Sequence, residues 1–196
     1  SLKFDPDNVN LDQYKIKHLE LFMLVQKLDT GHEENDVRRR NVLLQAINFI
    51  HYTLKTNFFR HNFTALSFRL DPRYLDDIPF DRKAKFPELP YAIFFIRGMH
   101  FFAFHIRFKD LSRGGLRTVY TEQEERMLVE RNNVFTECYN LAYTQHFKNK
   151  DIPEGGSKAV IFLKPFAQLE AEARILQEEL EDSKLPPNQI EDNLTQ

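Results

Sequence analysis

Three short stretches set basic side chains beside glycine or at a helix end. SRGGLR places Arg113 and Arg117 on either side of Gly114-Gly115, KNK carries Lys148 and Lys150, and EGGSK sets Lys158 behind Gly155-Gly156. A glycine pair costs backbone entropy, so it implies either a φ that other residues avoid or a main chain that something approaches closely. Read as two glycine turns, each abutting a strand, the stretches would let a small molecule reach the backbone. Basic side chains at the strand ends would then clamp carboxylates. A lysine held among cations and partly desolvated gives up its proton more readily, which suits it to proton transfer or to attack on a carbonyl. Singly, each station is also what an ordinary surface cation beside a turn looks like; the three together favour a site.

Other chemistries find little support. In GGSK the serine precedes the lysine, so the phosphate-loop pattern is not met, and no G-x-G-x-x-G occurs. The histidines form no H-x-x-x-H and no Cys/His pair at ligand spacing, so no metal is expected. His100 and His105, five apart on a predicted strand, fall on opposite faces. Cys138, inside a predicted helix, reads as a packed residue. Arg38, Arg39 and Arg40 read as a solvated helix turn, and Glu170, Glu172, Glu178, Glu179 and Glu181 as the wet face of a last helix.

The elements that would position these residues follow from periodicity. Leu11 to Leu28 predicts a helix with Tyr14, Leu21, Val25 and Leu28 on one face, and a second helix carries Leu43, Ile47, Ile50 and Leu54. Thr64 to Leu75 predicts a strand ended by Asp71-Pro72; Asp76 to Pro90, with three prolines, predicts a loop. The Phe-rich run from Tyr91 to Phe108 predicts a hairpin about Arg97-Gly98. Thr121 and Glu124 make a capping box for a helix to Phe147 with Leu128, Phe135, Tyr139 and Ala142 as its stripe. A short strand follows GGSK, then a helix from Phe166 to Leu180 with Leu169, Ala173, Leu176 and Leu180 in register. The fold class is α/β, a mixed sheet with flanking helices.

A chain of 196 residues can bury a real core. Its net charge of −2 argues against a nucleic-acid partner. No apolar run approaches the ~20 residues of a membrane span. One cysteine cannot form an internal disulfide, which points to a reducing, cytoplasmic setting. The Ser1 start and the tail LPPNQIEDNLTQ suggest a segment of a longer polypeptide.

Taken together, DLSRGGLRTV and ERNNVFTECYNLAYTQHFKNKDIPEGGSKAVIFL resemble the large NAD-specific glutamate dehydrogenases. In that family an R-G-G-[IL]-R segment precedes a helix ending in K-N, followed by P-x-G-G-S-K-G. The resemblance extends over roughly Asn57 to Leu163. It implies an oxidoreductase of amino-acid catabolism that converts L-glutamate to 2-oxoglutarate and ammonia and passes hydride to NAD. Carried over by motif, Lys158 is the catalytic lysine, assisting water attack on the iminium and proton transfer. Lys148 binds on the substrate's α-carboxylate side, Arg113 stands where the shorter hexameric enzymes have lysine, and Gly114, Gly115, Gly155 and Gly156 shape the pocket. Those enzymes place their substrate lysine twelve residues before the catalytic one; here that position is His146, and Lys148 lies ten before. The fold implied is that of the substrate-binding domain of amino-acid dehydrogenases. The division implied is an N-terminal helical segment (1–56), a partial substrate-side catalytic domain (57–182) and a linker or tail (183–196). NAD would be bound mainly by a nucleotide-binding domain outside this chain, and the intact enzyme would be a cytoplasmic homo-oligomer. The alternative is a non-catalytic regulatory or assembly module of the same family that binds an amino acid or a partner subunit.

Overall fold

The computed structural model describes residues 1–121, 124–148, 151–164, 171 and 173–177. Six strands form one mixed sheet: β1 (Thr53–Thr56), β2 (Ala65–Leu70), β3 (Ala92–Gly98), β4 (Phe101–Arg107), β5 (Ser112–Val119) and β6 (Gly155–Leu163). Their spatial order is β1-β2-β3-β4-β6-β5, with only β5 and β6 parallel. Helices α1 (Leu11–Gln26), α2 (Glu33–Tyr52), the short α3 (Arg82–Lys85) and α4 (Glu124–His146) accompany them among the described residues. Parallel neighbours cannot be joined by a tight turn, so α4 supplies the crossover from β5 to β6.

Alternation along the strands sorts the core onto one face of the sheet. Ile93 and Phe95 of β3, Phe104 and Ile106 of β4, and Val160 and Phe162 of β6 share that face through the ladder register. Val134, Cys138, Tyr139 and Ala142 of α4 bury themselves in the same cluster. The Tyr139 hydroxyl donates to Glu88 O at 2.7 Å and accepts from Glu88 N at 3.1 Å, which anchors the proline-rich loop to α4. That loop is not wholly irregular: a 3₁₀ turn spans Pro72–Asp77, started by the Asp71 carboxylate accepting from Arg73 N. β2 accordingly ends at Leu70, ahead of Asp71-Pro72.

Several expected faces are rotated. On α2, Leu43 and Ile50 are exposed, as is Leu54, which belongs to β1. Phe49 turns inward instead and meets Phe68 at 5.1 Å and Phe95 at 6.2 Å between ring centroids. Spacing registers apolarity, but the sheet beneath α2 is aromatic, and edge-on ring packing selects the phenylalanine. On α1 Val25 is buried while Leu21 is exposed. His18 takes the inner position there, 4.6 Å from the His51 ring. On α4 Leu128 is exposed, and Val134 and Cys138 complete the stripe with Phe135, Tyr139 and Ala142. The arginine run knits the α1–α2 junction together: Arg38 pairs with Glu34, Arg39 with Asp36, and Arg40 donates to Leu28 O. His100 lies in the two-residue hairpin turn, outside both strands, so its face relative to His105 is not set by strand alternation. Of the last expected helix, Ala171 and Ala173–Gln177 are helical, with Leu176 exposed. Leu169, Leu180 and the five glutamates fall outside the described residues.

Candidate active site

Both glycine pairs lie inside strands, not in turns. Gly114 and Gly115 belong to β5, and Gly155 and Gly156 open β6. Neither pair has positive φ; among described glycines only Gly31 does. What requires glycine is close approach. A Cβ on Gly156 would overlap the Ala142 carbonyl and the His146 backbone nitrogen of α4, and one on Gly114 would overlap the Ser157 carbonyl. One on Gly155 would press on Lys109, 2.7 Å from its Cβ. The glycines therefore let β5, β6 and the last turn of α4 close up on one another.

The parallel ladder then brings the two motifs side by side. Ser112 pairs with Gly155, Arg113 with Gly156, Gly114 with Ser157, and Gly115 with Lys158. Because paired residues in a ladder share a face, Arg113, Gly115, Arg117, Gly156 and Lys158 all lie on the α4 side of the sheet. The Lys158 side chain folds over Gly115: an ideal Cβ on that glycine would stand only 3.3 Å from the Lys158 Nζ. Lys158 is half-buried, between the β5 positions that carry Arg113 and Arg117.

Each flanking arginine has an acidic counterpart. Arg113 Nε lies 3.0 Å from Oε1 of the nearly buried Glu154, and Arg117 Nε lies 3.1 Å from Glu137 Oε1 on α4. Lys158 makes no ion pair among the described residues. The outcome is a row of three cations in which the two outer charges are neutralised and the central ammonium is not. Glu154 and Glu137 were not singled out from the sequence; a glutamate ahead of a glycine pair and one on a helix carry no signal until the register is known.

Lys148 is exposed and sits just past α4, its backbone N–H reaching Gln145 O at 3.3 Å. Since Gly156 packs on His146, the end of α4 that precedes Lys148 abuts the start of β6. Lys150 lies outside the described residues. Ser157, between Gly156 and Lys158, points to the opposite face, where its hydroxyl is 2.8 Å from His105 Nε2. Burial, and secondarily Arg107, holds the His105 imidazole below the ordinary histidine range. Cys138 packs beneath β4 and β6, its thiol 3.2 Å from Lys158 O, and burial pushes its pKa up to about 12. No group of three His, Cys, Asp or Glu able to hold a metal occurs among the described residues.

A model of the bacterial NAD-glutamate dehydrogenase catalytic domain matches residues 24–185. The chain belongs to this family. It is 38% identical over 187 residues to "Glutamate dehydrogenase 2" of Dictyostelium discoideum, covering 94% of this chain and 17% of that protein. It is 47% identical over 125 residues to the "NAD-specific glutamate dehydrogenase" of Saccharomyces cerevisiae, covering 63% of this chain and 11% of the relative. The corresponding protein of Neurospora crassa is 45% identical over 145 residues, 74% of this chain and 13% of its own. The chain thus spans a small fraction of each of these relatives. Within this family's catalytic-domain match fall both glycine segments, α4 and the lysine row.

Proposed function

We propose that these residues are the substrate-side part of an NAD-dependent glutamate dehydrogenase. The full-length enzyme would oxidise L-glutamate to 2-oxoglutarate and ammonia. The observation that carries this reading is the Lys158 ammonium laid over Gly115, between two arginines whose charges are already engaged. The cluster attracts a dicarboxylate, and its one uncommitted cation is free to hold or move a proton at the substrate's amino-bearing carbon. Arg113 is ion-paired with Glu154 at 3.0 Å and largely exposed, and its guanidinium would also meet a substrate carboxylate. Lys148, at the helix end, would engage the α-carboxylate side. The backbone of Gly114, Gly115, Gly155 and Gly156 forms the surface against which a small substrate lies.

In this proposal the β5–α4–β6 unit does not hold NAD. In the β5–α4–β6 unit the strand leaves Val119 through Tyr120 and Thr121, without glycine. Glu125 then lies in the first turn of the helix, where a pyrophosphate would need unopposed N–H groups. The nicotinamide cofactor is assigned to another part of the full-length protein. In this proposal residues 57–182 carry the substrate-side function, 1–56 and 183–196 flank it, and the intact enzyme is a cytoplasmic homo-oligomer. No described helix is long and apolar enough to cross a membrane.

The test is NADH oxidation by the full-length protein, given 2-oxoglutarate and ammonium, with wild type and Lys158→Ala side by side. Loss of turnover by about 10²–10⁴-fold in a folded variant is expected of a proton-transfer group. Substrate binding without turnover in the wild type would make this a binding module that kept the lysine row and lost the reaction.

A further inference from the structure

A groove on the helix-covered face of the sheet serves none of the roles above. Beside α4 lies a cavity of about 410 Å³, floored by Ile93, Phe95 and Phe104 and walled by Phe49, Phe86 and Phe135. The groove is open to solvent along one side and reaches down to the fully buried Ile93. Water inside would find few partners. The Tyr74 hydroxyl is taken by Gln45, and the other polar groups lining the cavity are Lys85, Asn132 and Thr136. An adjoining cavity of about 520 Å³ shares Phe95, Phe104, Asn132 and Phe135 and adds Phe102, Arg97 and Arg131.

The charges along this groove are all of one sign. No Asp or Glu lines either cavity, in a chain with 29 acidic residues. Arg97 and Arg131 make no ion pair among the described residues, and the Lys85 ammonium sits 5.1 Å from the Phe80 ring centroid. An aromatic trough of this volume falls in the range of small-molecule sites, roughly 300–1,000 Å³. Its unengaged guanidinium groups select for an anionic head group.

We propose that the groove binds an amphipathic carboxylate, its acyl or aromatic body on the phenylalanines and its head group on Arg97 and Arg131. Decanoate and decanol, below their aggregation limits, are titrated calorimetrically into the full-length protein. Saturable decanoate binding is expected, with decanol at least about tenfold weaker, since a hydrogen bond to a charged group is worth that much or more. The exposed double variant R97Q/R131Q should lose at least tenfold in decanoate affinity and none for decanol. Asn132→Trp, on a solvent-facing position that lines both cavities, should block both ligands. Absence of saturable decanoate binding overturns the proposal, the groove then being covered by another part of the polypeptide or filled by solvent. Equal binding of the two ligands, unchanged affinity in R97Q/R131Q, or binding that survives Asn132→Trp overturns it as well.

Discussion

Adding one methyl group at Gly156 and at Gly115 should have opposite consequences, although the two glycines are only two residues out of register on adjacent strands. At Gly156 the new Cβ meets the Ala142 carbonyl and the His146 nitrogen, both main-chain atoms inside α4. They can yield only if the helix or β6 moves as a body. Overpacking of this sort costs about 1–3 kcal/mol, and the rigidity of both partners argues for the upper end. At a urea slope of about 2 kcal/mol/M, Gly156→Ala should lower the unfolding midpoint by about 1 M or more. At Gly115 the new Cβ meets only the Lys158 Nζ, the tip of a flexible side chain, at 3.3 Å. The backbone there has no positive φ, so alanine also restricts the unfolded chain, a gain of about 0.4–1 kcal/mol. Gly115→Ala should therefore stay within about 1 kcal/mol of wild type. It should still displace the ammonium and reduce turnover of the full-length protein, since a 1 Å misplacement can cost about 10²-fold. Urea unfolding followed by far-UV circular dichroism reads the first quantity, and the NADH assay reads the second. Wild-type stability in Gly156→Ala would refute close approach as the reason for that glycine. A Gly115→Ala variant as unstable as Gly156→Ala would refute the contrast between backbone and side-chain neighbours.

Two titrations follow from burial. Cys138, its pKa raised to about 12, should resist a thiol reagent at pH 8 in the native protein and react once urea unfolds it; prompt native labelling would contradict its packing. The raised value also means that the folded state holds this proton more tightly than the unfolded one, so stability should decline as pH climbs from about 9 towards 12. His105 and His18 are shifted the other way, in each case chiefly by burial. Their contribution is complete above the ordinary histidine value and is lost as pH falls through their lowered values, because the unfolded state then binds more protons. Unfolding midpoints measured from pH 7.5 to 5 should fall, and less steeply in His105→Gln; an equal slope in that variant would remove His105 from the account.

The sequence by itself determined the long helices, the central hairpin and which residue types could do chemistry, but not β1, α3 or β5, whose residues it read as helix, loop and turn. The hairpin of β3 and β4, the strand end at Asp71-Pro72, the long α4 with Phe135, Tyr139 and Ala142 inward, and the packed Cys138 all follow from local pattern. The motif pair also pointed to the family to which the chain belongs. Which face of α2 packs was beyond it, because Phe49 rather than Leu43 or Ile50 meets the aromatic surface of β2 and β3. The meaning of the glycines was equally out of reach. Gly114 and Gly156 are some forty residues apart in the chain, and their role depends on β5 and β6 lying parallel under α4. Only that register sets Lys158 over Gly115 and gives Arg113 and Arg117 their partners in Glu154 and Glu137. Local pattern encodes what each segment prefers to become; the pairing of distant segments, decided by packing across the whole sheet, turns two basic stretches some forty residues apart into one row with a single uncommitted charge.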